Sequence, residues 1–243
     1  LLAISGVERV FYAIKANPHP DILRSFAALG LAFECVSQGE CERVIETIPG
    51  IERQKILFTP NFAPRSEYEW ALEQGVHLTI DNLYALREWG ELFRDRDVLI
   101  RIDTGFGRGH HDHVRTAGVH SKFGVPLFEM DEVERLVNLV GARVVALHAH
   151  TGSGVFDVRN WKEVGHMLGG LAQRFPHARA IDLGGGLGVP EKPGQVPVDL
   201  VEGYAVTAVV RRFGPEGDLA AGKDLADDAG DLADAVVLGI LAD

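Results

Sequence analysis

The sequence predicts an α/β fold of the (β/α)8 TIM-type barrel class. Short apolar runs alternate strictly with amphipathic stretches, which is the signature of a parallel sheet covered by helices. No internal repeat or long linker interrupts the alternation, and the 243 residues match the length of about 250 typical of such barrels. Seven apolar runs read as buried parallel strands, at residues 10–14, 31–36, 56–59, 77–80, 98–102, 144–148 and 180–183. Helical patterns fill the gaps at residues 21–29, 39–47, 66–74, 82–93, 129–140 and 161–175. An eighth strand, expected near Leu219, would close the barrel; an open doubly wound sheet is the alternative. The whole of residues 1–243 is read as one barrel domain, with the Ala/Asp/Gly-rich segment 220–234 set apart by its composition.

Composition narrows the partners. A formal charge of -11, from 35 acidic against 24 basic residues, argues against nucleic acid and anionic membrane, which require a net basic face. A small-molecule enzyme is the better reading. Two cysteines, Cys35 and Cys41, are too few for a disulfide framework or a zinc ribbon and fit a reducing, cytoplasmic setting. The opening stretch lacks a basic segment and a long apolar run, so no signal peptide or membrane span is expected. The chain begins with Leu1 and is read as a fragment.

Three segments carry chemistry, each at the end of an expected strand, where barrel active sites lie. In Tyr12-Ala13-Ile14-Lys15-Ala16-Asn17 the first strand runs into a lysine just before a proline turn. A partly desolvated lysine has a lowered pKa, and its free amine can form a Schiff base with an aldehyde; a solvated strand-terminal lysine is the plainer alternative. The segment His148-Ala149-His150-Thr151-Gly152-Ser153-Gly154 offers glycine amides and a hydroxyl to an anion, with His150 able to stack on an aromatic ring. His148 and His150 could instead bind a metal, since alternate residues of a strand share a side, or be satisfied within the core. In Asp182-Leu183-Gly184-Gly185-Gly186 adjacent glycines leave amides open to phosphate oxygens, with a flexible turn as the alternative. A lysine, a ring-facing histidine and a phosphate cradle, in that order, are what a phosphorylated aldehyde cofactor requires.

The Y-A-x-K-A-N run at Tyr12 to Asn17, the H-x-G-S-G at His150 to Gly154 and the D-L-G-G-G at Asp182 to Gly186 resemble the signatures of the alanine-racemase-like barrel decarboxylases that use pyridoxal 5'-phosphate. Phe33-Glu34-Cys35-Val36-Ser37 and the segment from Gly118 to Gly124 narrow the resemblance to the diaminopimelate decarboxylase family. The stretch from Gly105 to Gly124 is especially like the decarboxylase half of bifunctional aspartokinase/diaminopimelate decarboxylase chains. The resemblance covers about residues 7–212. It implies that Lys15 carries the cofactor and His150 stacks on its ring. Gly152, Ser153, Gly184, Gly185 and Gly186 would hold the phosphate, with Glu34 and Lys122 as polar partners nearby. Its implied reaction is decarboxylation of meso-diaminopimelate to L-lysine, in a family that is usually homodimeric. An arginine or ornithine decarboxylase, a barrel that binds cofactor without turnover, and a metal-dependent hydrolase using His148 and His150 are the rival readings. His110, His111 and His113 read as a polar loop wall, and no metal is assigned.

Beyond Arg212 the pattern departs. The family's E-P-G-R run, with its glutamate toward the pyridine nitrogen, aligns with Ala220, Ala221, Gly222 and Lys223. The family's C-terminal β-domain, which supplies a cysteine motif to the neighbouring subunit's site, is read as lacking. The chain alone is therefore expected to bind cofactor but turn over poorly.

Overall fold

A computed structural model describes residues 1–2, 7–105, 122–199 and 235–240, the last segment by its backbone. Among the described residues nine strands run in chain order: β1 (Val7–Ala13), β2 (Ala32–Cys35), β3 (Ile56–Phe58), β4 (His77–Ile80), β5 (Asp97–Asp103), β6 (Val125–Pro126), β7 (Arg143–His148), β8 (Ala180–Asp182) and β9 (Ala235–Ile240). All pairings are parallel, and β1, β2, β3, β4, β5, β7, β8 and β9 form a closed ring, β9 pairing with both β8 and β1. The two-residue β6 pairs with the top of β5 outside that ring. The ring excludes the open-sheet alternative.

The seven expected strands are all present, displaced by no more than three residues at either end. Closure comes from β9, whose uninterrupted Ala-Val-Val-Leu-Gly-Ile run has the continuous apolar character of a parallel strand buried on both faces. The position near Leu219, where that strand was expected, lies outside the described residues, as do Arg212, Ala220, Ala221, Gly222, Lys223, Gly118, His110, His111 and His113.

Helices follow each strand from β1 to β5 and from β7: α1 (Pro20–Ala28), α2 (Gln38–Thr47), α3 (Arg65–Gln74), α4 (Leu83–Glu88), α5 (Met130–Val140) and α6 (Arg159–Ala172). Their starts are set by local chemistry. Pro20 opens α1, where its missing N–H costs nothing. Ser37 caps α2 by accepting from the Glu40 amide at 3.3 Å, while the Glu40 carboxylate accepts from the Val36 amide at 2.7 Å. The expected helix at 82–93 divides into α4 and a 3-10 turn at Gly90–Phe93. Gly90 is packed so tightly on Val140 of α5 that an added Cβ would overlap it, so tertiary contact overrides the helical periodicity there.

The strands sort their side chains by alternation. Phe11, Ala32, Leu57, Leu99 and Ala146 form one apolar cluster inside the ring. A larger cluster, including Phe33, Phe58, Ile80, Ile100, Leu147 and Ile181, lies between strands and helices. Two residues beyond the inward apolar layer, toward the strands' C-terminal ends, stand Ala13, Glu34, Thr59, Arg101 and His148. The period of two therefore places a polar layer directly above the apolar plug.

Candidate active site

The polar layer is buried: Glu34, Thr59, Thr79, Asp81, Arg101, Asp103, His148 and Asp182 are each no more than 8% exposed. Burying polar groups is costly unless they pair. The strand register sets the neighbours, Arg101 of β5 lying beside His148 of β7, which lies beside Asp182 of β8, while the Thr59 and Thr79 hydroxyls have no hydrogen-bond partner among the described residues. Arg101 is the buried cation of the layer. Burial pulls its pKa down, and the fields of Glu34, Asp81, Asp182 and Asp103 oppose that pull. Its guanidinium centre also sits 4.6 Å from the centroid of the Phe123 ring, a cation–π contact at the rim. Asp81 accepts from Asn61 at 2.6 Å and from Asn82 at 2.8 Å; burial nevertheless raises its pKa, against those hydrogen bonds and Arg101.

Above this layer Lys15 lies in a 3-10 turn, Ile14–Ala16, immediately after β1. Its Nζ is 3.5 Å from Glu34 Oε2, and its side chain keeps 44% exposure against 11% for the glutamate. The amine is thus tethered to a buried carboxylate on one side and open to an incoming group on the other. His150, two residues past the end of β7, is half-buried. Burial, followed by the charges of Arg101, His148 and Lys15, holds its pKa well below the usual histidine value, so the ring is neutral at physiological pH.

The two glycine segments come together although 29 residues lie between Gly154 and Gly184. Val155 donates to the Gly186 carbonyl at 2.8 Å, and Gly188 donates to the Val155 carbonyl at 2.8 Å. Trp161 of α6 donates to the Gly185 carbonyl at 3.3 Å. Thr151 and Asn160, both buried, are joined by hydrogen bonds of 2.9 and 3.1 Å, pinning the first loop to α6. Gly184 (φ +65°) and Gly186 (φ +82°) are left-handed, and a Cβ on Gly184 would stand 2.6 Å from the Ala149 carbonyl and 3.0 Å from the His150 ring. A Cβ on Gly186 would overlap the Gly152 carbonyl. Only main chain fits between these loops.

Sequence reasoning thus named residues that the fold gathers at one end of the barrel: Lys15, Glu34, His150, Gly152, Ser153, Gly184, Gly185 and Gly186. Lys122 is exposed, with its Nζ 5.1 Å from the Phe123 ring and its carbonyl accepting from Asn61 at 3.4 Å. Among the described residues no group of three or more His, Cys, Asp or Glu is arranged to hold a metal ion. Arg101 was missed. A charged residue at an inward position of an otherwise apolar strand, Val98 to Ile102, is the signal that could have found it.

The model of the pyridoxal-dependent decarboxylase pyridoxal-binding domain matches residues 3–218. The chain belongs to that family. It is 34% identical over 200 residues to the diaminopimelate decarboxylase of Methanothermobacter thermautotrophicus, covering 80% of this chain and 46% of the relative. Against the diaminopimelate decarboxylase of Streptomyces coelicolor the identity is 33%, over 83% of this chain and 46% of the relative. In fold it is similar to the crystal structure of Helicobacter pylori diaminopimelate decarboxylase complexed with L-lysine, with TM-score 0.77 and 22% identity over 98% of this chain and 56% of that one. The chain spans about half the length of these relatives.

Membership of the family makes pyridoxal phosphate the cofactor, and the geometry fits it. An amine with one open side faces a carboxylate, the His150 imidazole lies within the field of that amine, and two loops touch at glycines that leave no room for a Cβ. No helix among the described residues is long and apolar enough to cross a membrane.

Proposed function

We propose that the whole protein decarboxylates meso-diaminopimelate to L-lysine with pyridoxal phosphate, this barrel supplying the cofactor site. The reading is supported by two features that both follow strands at the same end of a closed barrel: Lys15 after β1, paired with Glu34 at 3.5 Å, and the glycine loops after β7 and β8, joined by main-chain hydrogen bonds. The choice of substrate is supported by relatives at 34% and 33% identity; an ornithine decarboxylase of Neurospora crassa is also similar, at 29% identity over 72% of this chain.

Lys15 would attach the cofactor through its amine, held in place by Glu34. His150 would lie against the cofactor ring, and its depressed pKa keeps a second positive charge away from that ring. Gly184, whose own amide is held by Asp182, would line the cradle in which the main-chain amides of Gly185 and Gly186, with Gly152 and Ser153, take the phosphate. Arg101, which feels the field of Glu34, would supply the positive charge of the buried layer beneath the cofactor. Bound there, pyridoxal phosphate supplies an electron-withdrawing ring for the electron pair left as the carboxylate departs. The resemblance supports a cytoplasmic homodimer, and the likeness of the stretch from Gly105 to Gly124 to bifunctional chains supports a fused aspartokinase domain.

Two measurements on the full-length protein test the reading. Borohydride reduction and mass mapping should place the pyridoxyl adduct on Lys15; an adduct on Lys122 or Lys223 overturns the site. Carbon dioxide release should be fastest with meso-diaminopimelate, and faster release from L-ornithine or L-arginine overturns the substrate.

A further inference from the structure

Asp182 has no part in the chemistry set out above, yet it is 1% exposed and touches three elements of the site. Its Oδ1 accepts from the Gly184 amide at 2.9 Å. Oδ2 lies 2.8 Å from Nδ1 of His148, an atom with no other partner among the described residues. Its carbonyl accepts from the Ala149 amide at 2.9 Å. One residue therefore fastens the start of the late glycine loop, the inward histidine of β7, and the backbone immediately before His150. The consequence is geometric, because Gly184 sits where any side chain would strike the Ala149 carbonyl and the His150 ring.

We infer that Asp182 is a positioning residue for the cofactor site, its carboxylate fixing Gly184 against His150 so that the loop amides and the imidazole are set at one spacing. A carboxylate oxygen suits this work, since a buried amide left without an acceptor is costly and a charged acceptor makes the stronger bond. Moving Gly184 moves the phosphate-facing backbone and the space beside the ring together. The inference rests on the proposed cofactor site but not on the choice of amino-acid substrate.

The test uses full-length protein and reads affinity for pyridoxal phosphate and for unphosphorylated pyridoxal by fluorescence titration, with melting of the cofactor-free protein as the check on folding. Asp182→Ala should weaken pyridoxal phosphate at least tenfold, on the order of 1.4 kcal/mol, and pyridoxal several-fold less. Asp182→Asn, which keeps an oxygen facing the Gly184 amide, should recover affinity to within about threefold of the unmodified protein, as the acceptor is retained. Should Asp182→Ala not fold, Asp182→Leu, of similar shape but with no acceptor, takes its place with the same expectation. Unchanged affinity in the folded Ala or Leu variant overturns the inference, as does an equal loss for both ligands. An equal deficit in Asp182→Asn and Asp182→Ala also overturns it, because the acceptor would then be irrelevant. If the unmodified protein itself fails to bind pyridoxal phosphate, the cofactor site and the inference fall together; tight cofactor binding without turnover of diaminopimelate removes only the proposed substrate.

Discussion

Replacing Gly186 by alanine should cost more than any ordinary glycine substitution in this protein, and the excess reports the contact between the two glycine loops. Gly186 has φ +82° and its added Cβ would overlap the Gly152 carbonyl. Left-handed backbone costs an alanine roughly 1–2 kcal/mol. The loops must also part, which strains the bonds from Val155 to the Gly186 carbonyl and from Gly188 to the Val155 carbonyl, both 2.8 Å; each is worth about 0.5–1.5 kcal/mol. The total is about 2–5 kcal/mol. Gly30 supplies the comparison, with φ +83° and nothing within 4 Å of an added Cβ, so Gly30→Ala should lose only the backbone part, about 1–2 kcal/mol. Urea unfolding of the cofactor-free protein gives both numbers, and a titration gives the affinity for pyridoxal phosphate, expected to fall at least tenfold in Gly186→Ala alone. Equal destabilisation of the two variants, with cofactor affinity unchanged in both, would refute the claim that the loops are locked together by direct backbone contact.

Arg101→Met should destabilise the fold by about 3–5 kcal/mol, because it leaves Glu34, Asp81, Asp182 and Asp103 without their shared cation; a loss below about 1 kcal/mol in urea unfolding would show that the buried carboxylates are balanced by other means. His150 has its folded-state pKa held below the unfolded value of about 6.5. The unfolded chain therefore takes up the proton first as pH falls, and the stability this group contributes is intact above about pH 6.5 and lost below it. His77 acts in the same direction through burial beside Arg9 and Arg179. Stability of the cofactor-free protein should thus decline as pH falls from about 7 toward 5, less steeply in His150→Gln, and an identical slope in that variant would show that His150 is not the group responsible.

Much of this site can be read from the chain alone because each motif is local. Lys15 ends a strand that is apolar from Val10 to Ile14, and the glycine clusters follow strands whose boundaries are marked by a change in polarity. Glu34 is legible only through its motif, since a lone acid within Ala32–Cys35 has no periodic signal of its own. The closing strand is the exception: the sequence reading puts it near Leu219, whereas β9 at Ala235–Ile240 closes the ring.

The neighbours of Arg101 and Asp182 were not legible, for a different reason. Alternation says which residues of one strand share a side, but closure decides which side is inside. The register between strands, including the irregularity between Val98 and Leu99, decides which inward residues become neighbours. The sequence by itself determined the strands, the lysine and the glycine loops. Only the tertiary structure set Arg101 beside His148 and His148 beside Asp182, because these contacts join residues from strands far apart in the chain, and a local pattern carries no information about which distant strand will lie alongside.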